Sequence, residues 1–171
     1  MRKRSQSQLE AAAYHEAGHA VIAYLLGCKP ESVTITPTLD TAGHLVVHAD
    51  PPHGFQLDTD DSDEARLRAE SAITICFAGP IAQKRHNPRS WRKVHGQWDY
   101  DTITDLGLRV CGSGEQATAF IRWREIVARE MVQAHWLRIA LVAGQLLKRK
   151  RLSHADLDAI IVPRGGVIQA S

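Results

Sequence analysis

No CxxC pair occurs in this 171-residue chain, and its three cysteines, Cys28, Cys76 and Cys111, are widely spaced and odd in number. Neither a disulfide framework nor a cysteine zinc site is expected, and this usage fits a reducing, cytoplasmic compartment. Long hydrophobic runs are also missing. The longest uncharged apolar stretch, Ala20 to Cys28, falls far short of the ~20 residues that span a bilayer. The basic start, Met1 to Arg4, leads into no apolar core, so a secretory signal is not expected. A large excess of one charge is lacking: 21 Lys and Arg face 19 Asp and Glu, which argues against an obligate nucleic-acid binder. No GxxxxGK[ST] phosphate loop is present, which excludes a nucleotide-driven motor within these residues. Internal repeats and low-complexity linkers are absent as well.

What remains is an ordinary globular composition, 44% hydrophobic. A chain of this length buries about 70% of its unfolded surface and needs no covalent staples. It reads as one domain over 9–162, between a basic flexible tail (1–8) and a C-terminal tail (163–171). Apolar spacing predicts a helix over 8–27, ending at Gly27. Ser32 to Thr36 alternates and is β-branched, as a strand would be, and Gly43 to Val47 is a second strand candidate. Asp61 with Glu64 forms a capping-box pattern ahead of a helix over about 62–85. A basic stretch follows, with Lys84, Arg85, Arg89, Arg92 and Lys93 around Trp91. It reads as a solvated loop able to meet acidic partners. A third helix starts near Asp99. A long one is expected over 115–150, with Phe120, Trp123, Val127, Met131, Ala134, Leu137, Leu141 and Gly144 on its buried face. Ser153 with Asp156 opens a last short helix. The fold class is therefore α+β, mainly α-helical.

The nine histidines carry most of the information. His15-Glu16-Ala17-Gly18-His19 is an HExxH pattern, which arises by chance in only about 2% of shuffles of this composition. On a helix, His15 and His19 lie one turn apart on one face and can reach one metal ion. Zinc suits two imidazoles and leaves a position open for water. Glu16 is placed to take a proton from that water as general base. A third ligand is needed. The HExxHxxGxxH pattern fails, because Ile22 and Leu25 stand where its glycine and histidine belong. Glu64, Glu70, Asp99, Asp101 and Asp105 are the acidic candidates, with His95 a more remote one. His44, His48 and His53 flank or follow the second strand and read as surface residues, and His135 and His154 as structural or exposed ones.

The stretch Ala13 to Val21, with HEAGH at its centre, resembles the zinc-site helix of the FtsH-type peptidases, the proteolytic half of ATP-dependent zinc proteases. Val33 to Pro37 with Gly43 is similar to that family's edge-strand region. Phe77-Ala78-Gly79-Pro80-Ile81-Ala82 resembles the small-residue turn of its next helix, and Leu141 to Ile161 its closing helices. The resemblance implies a zinc metalloendopeptidase in which the HExxH helix packs on a small sheet and a helical C-terminal region closes the core. It implies His15, His19 and Asp99 as zinc ligands, since Asp99 with Tyr100, Ile103, Leu106 and Gly107 fits the family's downstream aspartate pattern. Asp101 fits less well, and the lead Gly96-Gln97-Trp98 is one residue shorter than the family's. Gly43, His44, Leu45, Val46 and Val47 are then the strand that holds an extended polypeptide by strand addition. With no motor in these residues, the expected substrate is flexible or unfolded polypeptide, and a separate ATPase is the partner such a domain can borrow. The alternative is a catalytically idle metal-binding or protein-binding module.

Overall fold

Helix α1 (Gln6–Leu25) opens on a reciprocal cap: Ser5 Oγ accepts the Gln8 amide, and Gln8 Oε1 accepts the Ser5 amide. The helix thus begins two residues before the apolar spacing places it, and residues 6–8 belong to it rather than to a tail. Gly27 ends it at φ 77°, with Gly27 N–H returning to Tyr24 O and Cys28 N–H to Ala23 O. Glycine adopts that left-handed conformation without a Cβ clash. The computed structural model describes residues 5–36, 44–47, 62–91 and 96–162, with the backbone alone at 44–47. Gly43, His48, His53, Asp61, Arg92, Lys93, His95 and the tail 163–171 lie outside the described residues.

Three strands make one antiparallel sheet in the order β2-β1-β3: β1 (Pro30–Thr34), β2 (His44–Val47) and β3 (Arg151–Ser153). Val33 pairs with Leu45 on one side and with Leu152 on the other. Strand β2 is an edge strand as expected, and β3 is one that the sequence reading did not anticipate. The chain enters β3 through Lys150, which is left-handed at φ 67° and whose carbonyl accepts the Ile35 amide.

Helix α2 (Asp63–His86) is capped by Ser62, whose side chain accepts the Ala65 amide, so the cap is neither Asp61 nor a capping box with Glu64. It continues through Lys84 and Arg85, which are helical rather than part of a loop. A short 3₁₀ turn at Pro88–Ser90 follows, then α3 (Gln97–Val110). The expected single helix over 115–150 is two, α4 (Gly114–Ala134) and α5 (Trp136–Arg149), broken at His135. Helix α6 (His154–Ile161) closes the domain with the expected Ser153–Asp156 capping box. The architecture is mainly helical α+β.

The break at His135 re-aims the buried face. Helix α4 turns Phe120, Arg124, Ala128 and Val132 inward, and α5 turns Ile139, Val142, Ala143 and Leu146 inward. The stripe expected from the sequence is wrong in part: Trp123, Leu137 and Leu141 are exposed. Two apolar clusters result. One joins α1, β1, β3, α5 and α6 through residues such as Ile22, Val33, Ile139, Leu146 and Leu157. The other joins α2, α3 and α4 through Ile73, Phe77, Ile103, Leu106 and Phe120. Helix α2 belongs to both, since its Ala78 and Ala82 pack into the first cluster.

Small residues let α1 and α2 approach closely. A Cβ on Gly18 would meet the Ala78 carbonyl oxygen at 2.6 Å and the Ala82 Cβ at 2.8 Å. Helix propensity alone favours alanine over glycine by about 1 kcal/mol. Collision with a backbone oxygen outweighs that gain, because a helix carbonyl cannot rotate away. Gly18→Ala is therefore expected to lower stability by about 1–3 kcal/mol in a denaturant titration. A variant as stable as the parent would contradict this helix spacing.

Candidate metal centre

His15, Glu16 and His19 occupy the buried middle of α1, and the two histidines face α2 and the start of α3. Asp99 sits in the first turn of α3, where a carboxylate is favoured by the helix dipole, and it is buried. His15 Nε2 and His19 Nε2 are 3.0 Å apart, and each lies 3.3 Å from an Asp99 carboxylate oxygen. These three side chains form the cluster able to hold a metal ion among the described residues.

The far side of each imidazole is tied down. His19 Nδ1 lies 2.7 Å from the Ile75 carbonyl oxygen, which can only accept, so Nδ1 carries the proton. Pro80 lies just beyond: it has no amide hydrogen to give the Cys76 carbonyl, so the helix ladder is incomplete at this turn of α2. His15 Nδ1 lies 3.1 Å from Gln83 Oε1. The Gln83 amide nitrogen donates to Ser90 O at 3.2 Å, which leaves its oxygen for His15. In neutral imidazoles both Nε2 atoms then present lone pairs, and they converge with the Asp99 oxygens. Three electron-pair donors packed at such distances repel one another unless a proton or a metal ion lies among them.

The donor set fits zinc. A tetrahedral ion with bonds of about 2.0–2.1 Å has ligand-to-ligand edges of roughly 3.3 Å, against the 3.0 to 3.3 Å found here. Hydrogen bonds from ligand imidazoles to carbonyl oxygens are also the usual way such rings are oriented.

The electrostatics differ between the two rings. Burial pushes both toward the neutral form. At His15 the hydrogen bond to Asp99, the charges of Glu16 and Asp99, and Gln83 outweigh burial and raise the pKa. At His19 burial wins, despite the Asp99 charge, and with His15 nearby the pKa falls to about 4. Cys76 also feels Asp99: burial first, and that charge second, push its thiol up to about 12, so it is an inert thiol.

The other acidic candidates are engaged elsewhere. Glu64 pairs with Arg68, Asp105 with Arg109, and Asp101 is exposed on α3. Glu70 holds Arg124, a buried guanidinium that also donates to Thr74 Oγ1 at 2.6 Å. His154 Nδ1 meets the Pro30 carbonyl and His135 Nδ1 meets Arg138, both structural contacts in line with expectation. His44, Leu45, Val46 and Val47 form β2, whose outer side has no strand partner among the described residues.

Two supporting residues, Gln83 and Ser90, were not singled out from the sequence, and two others, Trp91 and Gly79, were read there only as part of a basic loop and of a small-residue turn. The Trp91 ring stacks on His15 with centroids 6.3 Å apart. Gly79 makes room for the other ligand, since a Cβ there would lie 2.2 Å from His19 Nε2. The Gly79-Pro80 pair inside a helical pattern was the available signal.

Among the described residues, no helix is long and apolar enough to cross a membrane. No protein-family model and no curated protein matches the chain.

Proposed function

We propose that this chain is a zinc-dependent metalloendopeptidase of the FtsH peptidase type, cytoplasmic and acting on flexible or unfolded polypeptides. The observation that carries this reading is the convergence of His15, His19 and Asp99 beside the buried Glu16, with both Nδ1 atoms bonded to fixed oxygens. Metal storage alone has no use for a buried glutamate next to the ligands.

His15, His19 and Asp99 would hold zinc, which supplies Lewis acidity: it polarises a carbonyl and makes water a stronger acid. Glu16 takes the proton from the attacking water on its carboxylate. As the peptide C–N bond breaks, Glu16 gives that proton to the leaving amine nitrogen. Gln83 and the Ile75 carbonyl keep the two imidazoles from turning during these steps. The outer edge of β2 offers main-chain hydrogen bonds to an extended substrate, which tolerates varied side chains.

Unfolding a stable domain costs about 5–15 kcal/mol, and nothing in a zinc site performs that work. A protein substrate offered unfolded is therefore expected to be cleaved without ATP and to be spared by chelator. The same protein kept folded should survive, unless a separate ATPase is supplied. Chelator-sensitive cleavage of both forms at one rate would sink the reading. Zinc binding with neither form cleaved would favour the idle-module alternative.

A further inference from the structure

The basic stretch after Gln83 has one member that the metal centre brings into its own neighbourhood. Lys84 Nζ lies 4.6 Å from the centre of the Trp91 ring and donates to the Tyr100 hydroxyl oxygen at 3.4 Å. Each of the three groups adjoins the ligand set. Lys84 follows Gln83, the hydrogen-bond partner of His15. Trp91 stacks on the His15 ring. Tyr100 follows Asp99 and meets Trp91 edge-on at 6.4 Å. All three are half-buried, so they stand at the border between the buried ligands and solvent.

Lys84 differs from the other cations here. Arg85 is stacked over Trp136, the first residue of α5, 4.7 Å from the ring centre. Lys84 touches an aromatic face and a phenol, both weak partners for an ammonium, and no carboxylate among the described residues pairs with it. The rings restrict the long side chain in advance, which removes much of the entropy that ordinarily weakens a surface ion pair.

Resting on the peptidase reading, we propose that Lys84, held by Trp91 and Tyr100, is a specificity-determining residue that favours polypeptides bearing a carboxylate close to the scissile bond. The ligand class is acidic peptide.

Two labelled peptides, identical except for glutamate or glutamine on either side of one central bond, provide the test. Binding is measured by fluorescence anisotropy on zinc-loaded Glu16→Gln protein, and turnover on the parent. The glutamate peptide is expected to bind about fivefold more tightly, an advantage that shrinks as salt is raised. Lys84→Gln should bring the ratio near one and Lys84→Glu should invert it. Lys84→Arg should keep it, and checks the proposal if the other variants fold poorly. In turnover the difference should lie in KM, with kcat little changed. Equal binding of both peptides by the Glu16→Gln protein would overturn the proposal. So would a Lys84→Gln variant that weakens both peptides equally, since that marks a lysine that only braces Trp91. A Lys84-dependent preference in binding, with no peptide cleaved by the parent, would remove the peptidase reading and leave a carboxylate-binding site.

Discussion

Glu16→Gln is expected to keep its zinc and its fold while peptide turnover falls by about 10²–10⁴-fold, the usual contribution of a positioned acid–base group. The substitution is nearly isosteric, so packing in the middle of α1 should survive. Glutamine cannot accept a proton at neutral pH, and the water and the leaving amine both need that acceptor. Glu16 is buried, and its charge helps to raise the His15 pKa. It is therefore close enough to the ligands for its loss to register in chemistry rather than in metal content. Zinc by elemental analysis and kcat on one unfolded substrate separate the two. A variant that cleaves as fast as the parent would remove Glu16 from the mechanism.

His19→Ala and Asp99→Ala should each lose most of the bound zinc, whereas Asp101→Ala should retain it. Two remaining protein ligands hold zinc poorly. The contrast between the aspartates is the sharper part. Asp99 is buried with its oxygens 3.3 Å from both imidazoles, and Asp101 points to solvent from the same helix. Zinc per chain after dialysis against a weak chelator reads the difference directly. Loss in Asp101→Ala with retention in Asp99→Ala would move the third ligand. A parental zinc content in His19→Ala would dispose of the site altogether.

The candidate ligands on α1, His15 and His19, were legible in the sequence because a four-residue spacing on one helix is a local property. Asp99 was legible only through resemblance, because nothing local distinguishes it from Asp101 or Glu70. Burial decides among them, and burial is set by how α3 and α4 pack on α2. The same limit explains the misread face of 115–150. Arg124 is a charge on the buried side of α4, held there by Thr74 and Glu70, while Trp123, Leu137 and Leu141 are apolar and exposed. A hydrophobic stripe drawn through these residues follows side-chain type and lands on the wrong face. Nor does His135 carry a proline or glycine signal for the break; the two apolar clusters impose it by facing α4 and α5 in different directions. Strand β3 is three residues whose only reason to extend is pairing with β1. Gln83 escaped notice because its hydrogen bond to His15 crosses two helices.

The junction of α1 and α2 has little depth. Gly18 on one helix lies against Ala78 and Ala82 on the other, and the His19 imidazole sits against Gly79 in the same seam. A wider side chain anywhere along it acts as a wedge, and a wedge moves His15 and His19 relative to Asp99, which α3 carries. Mutational tolerance across this protein should therefore be uneven in an unusual sense. Aliphatic exchange of similar volume is absorbed in the clusters around Leu146 or Ile103, while a single added methyl group in the seam alters the gap between the imidazoles and the carboxylate. The spacing of His15, His19 and Asp99 thus depends on residues outside that cluster, and it depends on their smallness.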